Sequence, residues 1–215
     1  MKIIKKLIDL FIPPILVWTY HYFDQRLESK DKLFHGRDSL FKDLIKTCKI
    51  YGEYGCGKST IWVSNNTNAK IISVDSSGEW VNKVKQLTRS NEKHKIHHVD
   101  MGELSDWGRP IDYSHHELFK DYTNFIWSQE TKPDLVLIDG RFRVCSFLTS
   151  LLHADEGTYI IFDDYIFRPH YHFVEKYLPR IKVLGEQCLF KVPDKKLINM
   201  QELLIDVEKF RFVFD

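Results

Sequence analysis

The sequence predicts an α/β fold: a doubly wound, mostly parallel sheet with helices on both faces. Three observations carry that reading. Residues 50–80 run strand, glycine-rich turn, short helix, second strand, acidic residue. Two later apolar runs, within Asp134–Asp139 and Thr158–Asp164, are short, continuous and end in acids, as strands buried on both faces do. Helix-period segments alternate with these runs, as a parallel sheet requires of its crossovers.

At 215 residues the chain suffices for one such domain with a full core. We assign residues 1–34 to an N-terminal amphipathic lead-in and 35–215 to the domain. A net charge of +1 gives no bulk attraction to nucleic acid, so none is expected as a partner. Cys48, Cys56, Cys145 and Cys188 lie far apart without metal-ligand spacing, which suits reduced, intracellular thiols.

In order along the chain, Lys2, Lys5 and Lys6 precede an apolar run from Leu10 to Trp18 that Pro13-Pro14 interrupts. It is too short to span a bilayer, and no small-residue cleavage site follows. Two readings stand for residues 1–23: peripheral contact with a membrane surface, or a helix packed on the domain or a dimer mate. The expected location is cytoplasmic, at the inner membrane face if the first reading holds. Leu40, Phe41, Leu44 and Ile45 then predict a helix over about Ser39–Lys46.

The glycine turn admits two ligands. Gly52–Ser59 fits the phosphate-loop pattern G-x-x-x-x-G-K-[ST], with Lys58 for phosphates and Ser59 for magnesium. The same stretch fits a turn that holds S-adenosylmethionine: Glu53, Gly55 and Gly57 shape it, with Ser59 and Thr60 opening the next helix. Asp75, with Ser76 beside it, takes the ribose hydroxyls. Asp75 ends the second strand about 20 residues past the turn, where a ribose-binding acid belongs. Context favours the second ligand. The polar run Lys46-Thr47-Cys48-Lys49 precedes Gly52, and Glu53 would set a carboxylate among phosphates.

Trp80, Val81, Val84 and Leu87 predict a helix over Gly78–Arg89, and His94–Val99 a third strand. Asp100 and Met101 follow it as adenine-side candidates. Residues 103–130 read as an insertion whose aromatics and His115-His116 are candidates for an acceptor lid. Beyond the next two strands, Asp139, Asp163 and Asp164 should meet beside the turn, since ligands sit at the carboxyl ends of parallel strands. Three carboxylates at one rim repel unless a cation joins them. The candidates are a hard divalent ion, Mg²⁺ or Mn²⁺, or ion pairing with Arg141, Arg143 and Arg168. A helix over Val144–Leu152, short strands near 181–185 and 188–192, and an edge strand or outer packing at Phe210–Phe214 complete the expectation.

On Tyr-Gly-Glu-Tyr-Gly-Cys-Gly-Lys-Ser-Thr, Ser-Val-Asp-Ser-Ser, His-Val-Asp-Met-Gly, Leu-Ile-Asp-Gly-Arg-Phe-Arg-Val and Phe-Asp-Asp-Tyr-Ile-Phe-Arg-Pro-His-Tyr, the chain resembles class I S-adenosylmethionine-dependent methyltransferases over residues 35–195. The resemblance implies their Rossmann-like fold. The Ile-Asp-Gly-Arg-Phe-Arg and Asp-Asp-Tyr segments resemble a bacterial subgroup of surface-polysaccharide biosynthesis. The acids are similar to the metal site of catechol O-methyltransferase-type enzymes, with Asp164 replacing an Asn. That family has a lysine base just after its first metal Asp; here Arg141-Phe142-Arg143 follows Asp139, and arginine stays protonated.

The expected activity is therefore O-methylation of a sugar or nucleotide-sugar-like acceptor with metal assistance. Asp164 or His170 would accept the proton, Arg141 would stand at the catalytic rim, and Arg143, Arg168 and Tyr171 would hold the acceptor. A phosphotransferase or NTPase on Gly52–Ser59, and a non-catalytic methyltransferase-like subunit, are the alternatives.

Overall fold

The computed structural model describes residues 32–214 apart from Ser90, Asn91 and Lys93. The expectation for residues 1–23 lies outside the described residues. The chain divides into two compact units, residues 1–38 and 39–215. The described part of the first holds a short 3-10 turn, Phe34–Gly36, and Asp38 Oδ2 accepts from the Leu33 N–H at 2.9 Å.

The second unit alternates helices and strands. Helix α1 (Ser39–Ile45) leads into β1 (Ile50–Tyr54), α2 (Lys58–Asn66), β2 (Lys70–Asp75), α3 (Gly78–Leu87) and β3 (Lys95–His98). Then come α4 (Phe119–Asn124), β4 (Leu135–Ile138), α5 (Arg143–His153), β5 (Tyr159–Phe162), a 3-10 segment Pro169–Lys176, β6 (Lys182–Leu184), β7 (Gln187–Lys191) and α6 (Met200–Phe210). The seven strands form one sheet in the order β3-β2-β1-β4-β5-β7-β6. β1 pairs in parallel with β2 and with β4, placing Gly52 opposite Ile72 on one side and Val136 on the other. Among the described strands only β7 runs against the rest: it pairs antiparallel with β5 on one side and with β6 on the other, so β6 runs the same way as β5.

The sheet centre is dry. Leu135, Val136, Leu137 and Ile138 of β4 are at most 2% exposed, and each such burial contributes about 1.5–3 kcal/mol. The reversal of winding occurs at β1: the chain builds β2 and β3 on one side of it, then returns to lay β4 and β5 on the other. That leaves a crevice above the ends of β1 and β4.

Several local expectations need correction. Residues 103–130 divide in two. The second part is core: Phe119 and Tyr122 are buried, and the buried Tyr54 hydroxyl donates to the Thr123 carbonyl at 2.5 Å while accepting from the Trp127 indole at 3.0 Å. Helix α6 has no counterpart in the sequence reading. Asn199 caps it through the Glu202 N–H at 3.2 Å, and Leu203 and Val207 face inward one turn apart. Of the two expectations for Phe210–Phe214, an edge strand or outer packing, the residues after Phe210 take the second; the Phe214 ring lies 5.8 Å from Phe119 and 6.0 Å from Phe142. Among the described residues no helix is long and apolar enough to cross a membrane. The four cysteines are free.

Candidate active site

Strand β1 ends at Tyr54, and the chain turns through Gly55-Cys56-Gly57 into α2. Gly55 has φ +89°, open to glycine at little cost. A β-carbon there would lie 2.5 Å from Gly140 Cα and 2.9 Å from the Asp139 carbonyl carbon. The turns after β1 and β4 thus touch, and Asp139 stands directly beside the glycine turn. Over Gly57 the space is open: a β-carbon would meet only the Trp80 indole nitrogen, at 3.9 Å. Trp80 is 39% exposed, so it is not core; its indole donates to the Cys56 carbonyl at 2.6 Å and braces the turn.

Glu53 is fully buried beneath the turn. It accepts from the Ser59 hydroxyl and, at 2.5 Å, from Thr60 Oγ1, which in turn accepts from the Gly57 N–H at 2.8 Å. Burial pushes its carboxyl up to about 7, against the pull of the Ser59 and Thr60 hydrogen bonds. Glu53, Ser59 and Thr60, expected to bind cofactor, therefore shape the turn from below.

The same geometry removes the phosphate loop. Gly52, Glu53 and Tyr54 are strand residues in parallel register with both neighbours, which leaves too little chain to wrap a polyphosphate. The Ser59 hydroxyl faces Glu53 rather than a magnesium position.

At the end of β2, Asp75 Oδ1 accepts from the Ser77 N–H at 2.8 Å. Burial raises its pKa, while that N–H, Cys56 and, more weakly, Arg141 oppose the shift. Ser76 does not face the ligand space; its hydroxyl donates to the Gly108 carbonyl at 2.6 Å, tying down the loop after β3. Asp100 is exposed and forms a local turn, accepting from the Gly102 N–H at 3.0 Å. Met101 is 1% exposed and belongs to the core. His115 and His116 bond to Ser114 and the Tyr113 carbonyl, in a turn of their own.

The three acids do converge: Asp139, Asp163 and Asp164 each place an oxygen within 4.8 Å of the others. Arg143 joins them. Its side chain is 3% exposed, with Nη2 3.1 Å from Asp139 Oδ1 and Nη1 3.1 Å from Asp164 Oδ2. It also donates to the carbonyls of Gly140 (2.9 Å), Asp163 (2.9 Å) and Asp139 (3.2 Å). Gln187 donates to Asp163 Oδ1 at 2.8 Å, and Arg168 to Asp164 Oδ2 at 2.8 Å. Burial drives the Asp139 pKa well up, although Arg143 opposes it.

A left-handed Phe142 (φ 53°) turns the chain so that Arg143 points back at the strand ends, and Asp164 is also left-handed (φ 57°). Each such non-glycine residue costs about 1–2 kcal/mol and persists where its surroundings over-determine it.

The acceptor-side expectations change accordingly. Arg143 is spent on the acids rather than on an acceptor. Tyr171 is fully buried, with its hydroxyl accepting from Arg168 Nη1 at 3.0 Å. His170 is exposed, its ring edge-on to Tyr171 at 4.3 Å. The Arg141 backbone N–H donates to Tyr122 Oη at 3.0 Å.

Sequence reasoning missed Gly140, Tyr122 and Gln187. A glycine directly after a strand-end acid signals close backbone approach and was available. Gln187 was not, because it reaches Asp163 only through the antiparallel β5–β7 register.

Among solved structures, a methyltransferase-like protein from Silicibacter pomeroyi superposes with a TM-score of 0.74 at 25% identity, covering 84% of this chain and 96% of that one. This chain has the class I methyltransferase fold. A putative O-methyltransferase from Klebsiella pneumoniae (TM-score 0.51, 16% identity, 88% and 95% covered) shares it. So does the N-methyltransferase NodS of Bradyrhizobium japonicum in complex with S-adenosyl-L-homocysteine (TM-score 0.51, 11% identity, 79% and 91% covered). No protein-family model matches the chain, and no curated protein does.

Proposed function

We propose that the chain is an S-adenosylmethionine-dependent O-methyltransferase acting on a small polar acceptor, a sugar or nucleotide sugar of surface-polysaccharide biosynthesis. One observation carries the reading. The backbones of Asp139 and Gly140 pack against Gly55, which brings the acid-bearing end of β4 beside a glycine turn that is open at Gly57, with Asp75 at the neighbouring strand end.

S-adenosylmethionine supplies an electrophilic methyl group for in-line displacement. The chain's own residues do the rest. Asp75, at the end of β2, takes the ribose hydroxyls. Glu53 holds the turn rigid from below through Ser59 and Thr60. Asp139, 34% exposed at its side chain, borders the glycine turn and takes the acceptor hydroxyl's proton. Arg143 holds Asp139 too, but Asp164 is held by both Arg143 and Arg168, which leaves Asp139 the more available acid. Arg168, 40% exposed, offers the rim a positive charge for an anionic acceptor. Polysaccharide biosynthesis rests on the Asp-Gly-Arg-Phe-Arg and Asp-Asp-Tyr segments.

The test is calorimetric titration of S-adenosylmethionine and S-adenosylhomocysteine, followed by transfer of a labelled methyl group to a panel of nucleotide sugars. Binding with transfer to a hydroxyl supports the reading. Transfer only to amines would move it to N-methylation, and absence of adenosyl-ligand binding would refute it.

A further inference from the structure

We infer that Arg143 takes the place of a divalent metal at the rim of this site, so that its acid cluster works without one. The inference rests on the methyl-transfer reading for the purpose of the rim, but not for its geometry.

The resemblance to metal-dependent O-methyltransferases implies an ion among Asp139, Asp163 and Asp164. The residues do not fit it. Mg²⁺ or Mn²⁺ would need carboxylate oxygens at about 2.0–2.2 Å with open approach to them. Here a guanidinium already lies between the outer two acids, 3.1 Å from Asp139 Oδ1 and 3.1 Å from Asp164 Oδ2. Arginine cannot shed its proton to make way for a cation.

Nor does Arg143 have an easy exit. Its side chain is 3% exposed, and its Nε, Nη1 and Nη2 also serve the carbonyls of Gly140, Asp163 and Asp139. Withdrawing it would take a donor from three carbonyls and the guanidinium from Asp139 at once, leaving Asp164 with Arg168. The third acid has a neutral donor of its own, Gln187 Nε2, on Asp163 Oδ1 at 2.8 Å. Every acid of the cluster therefore has a donor from the chain.

The guanidinium does the part of a metal's work that needs no open coordination position. It ties the end of β4 to the end of β5 and fixes Asp139 and Asp164 facing the crevice, where their side chains stay 34% and 28% exposed. The left-handed backbone at Phe142 and Asp164 brings Arg143 and Asp164 together, which is what a built internal ion pair needs. Arg143 is on this account a positioning residue.

The experiment titrates Mn²⁺ into the full-length protein and follows free Mn²⁺ by electron paramagnetic resonance, beside calorimetry of S-adenosylhomocysteine with and without EDTA. Wild type should leave the free-ion signal undiminished into the millimolar range, and its adenosyl-ligand affinity should change less than about twofold with chelator. A folded Arg143→Gln should gain Mn²⁺ binding by about tenfold or more, and Asp139→Asn in that background should abolish the gain. One equivalent of Mn²⁺ bound by wild type at micromolar affinity would overturn the inference. So would a folded Arg143→Gln that still excludes Mn²⁺. If Arg143→Gln does not fold, the wild-type titration alone decides. Failure of wild type to bind S-adenosylhomocysteine would instead sink the methyltransferase reading and leave the metal result readable.

Discussion

Gly55 and Gly140 lie backbone against backbone where the turns after β1 and β4 meet. A β-carbon on Gly55 would fall 2.5 Å from Gly140 Cα, and one on Gly140 would fall 2.7 Å from Gly55 N and collide with Tyr122 Oη. Both turns consist of atoms that cannot retreat, because each is pinned to a central strand. Gly140→Ala should therefore destabilise the fold by about 1–3 kcal/mol, the usual cost of overpacking. Gly55→Ala should add the left-handed backbone penalty of about 1–2 kcal/mol. Urea denaturation of both variants checks this; midpoints equal to wild type would show the contact to be loose.

Asp75 and Lys58 separate the two ligands that the glycine turn allows on paper. Asp75→Ala should weaken S-adenosylmethionine binding by about tenfold or more, or about 1.4 kcal/mol. Lys58 is exposed, and Lys58→Ala should leave that affinity within about twofold. Calorimetry on the two variants reads the contrast directly, and the reverse pattern would revive the phosphate loop.

Glu53 should give stability a pH dependence of its own. Its carboxyl stands at about 7 in the folded chain against an ordinary 4.5, with burial as the first cause. Below 4.5 both folded and unfolded chains hold the proton. Between 4.5 and about 7 only the folded chain keeps it, so this contribution to stability is lost as pH rises through the window. The loss is on the order of 3 kcal/mol by pH 8. Glu53→Gln removes the titration. The difference in unfolding free energy between wild type and Glu53→Gln, measured at pH 5 and pH 8, should shift toward the variant at the higher pH. A difference independent of pH would mean that the carboxyl titrates normally.

Asp206 anchors α6. Its side chain, 3% exposed, accepts from Lys176 Nζ at 2.6 Å, Tyr177 Oη at 2.6 Å and Lys209 Nζ at 3.0 Å. Asp206→Ala should cost about 1–2 kcal/mol: the Tyr177 hydroxyl loses a charged acceptor, while Lys176 keeps Glu202 at 2.7 Å and Lys209 faces solvent. Thermal unfolding of the variant tests it, and an unchanged midpoint would show the network to be ornamental.

The parallel sheet was legible because its signals are local. Apolar runs such as Leu135–Ile138 announce buried strands, and an acid after each marks the ligand-facing end. The convergence of Asp139, Asp163 and Asp164 followed from that rule alone. Partner choice was not legible. Nothing in Arg141-Phe142-Arg143 says that it is the second arginine that joins the three acids; that depends on the left-handed backbone of Phe142. Ser59 and Thr60 look the same in sequence whether they face a ligand or Glu53. Helix α6 carries a legible signal, its Asn199 cap and the Leu203–Val207 spacing, that the sequence reading did not use.

The reversal of winding at β1 has a consequence for how such a chain can change. The walls of the crevice come from separate, contiguous stretches. The turn, Asp75 and the rest of the proposed adenosyl side fall within residues 50–100. Asp139, Arg143, Asp163, Asp164 and Arg168 fall within residues 135–170. The two stretches meet through backbone at Gly55 and Gly140, and through side chains in the shared core, where Tyr54, Ile72 and Val74 join one cluster with Val136, Ile138 and Phe142. A graft of the second stretch from a relative with a different acceptor would have to keep the two glycines and those core side chains, and could change the rim residues above them. In this architecture the donor half can stay fixed while the acceptor half is rewritten.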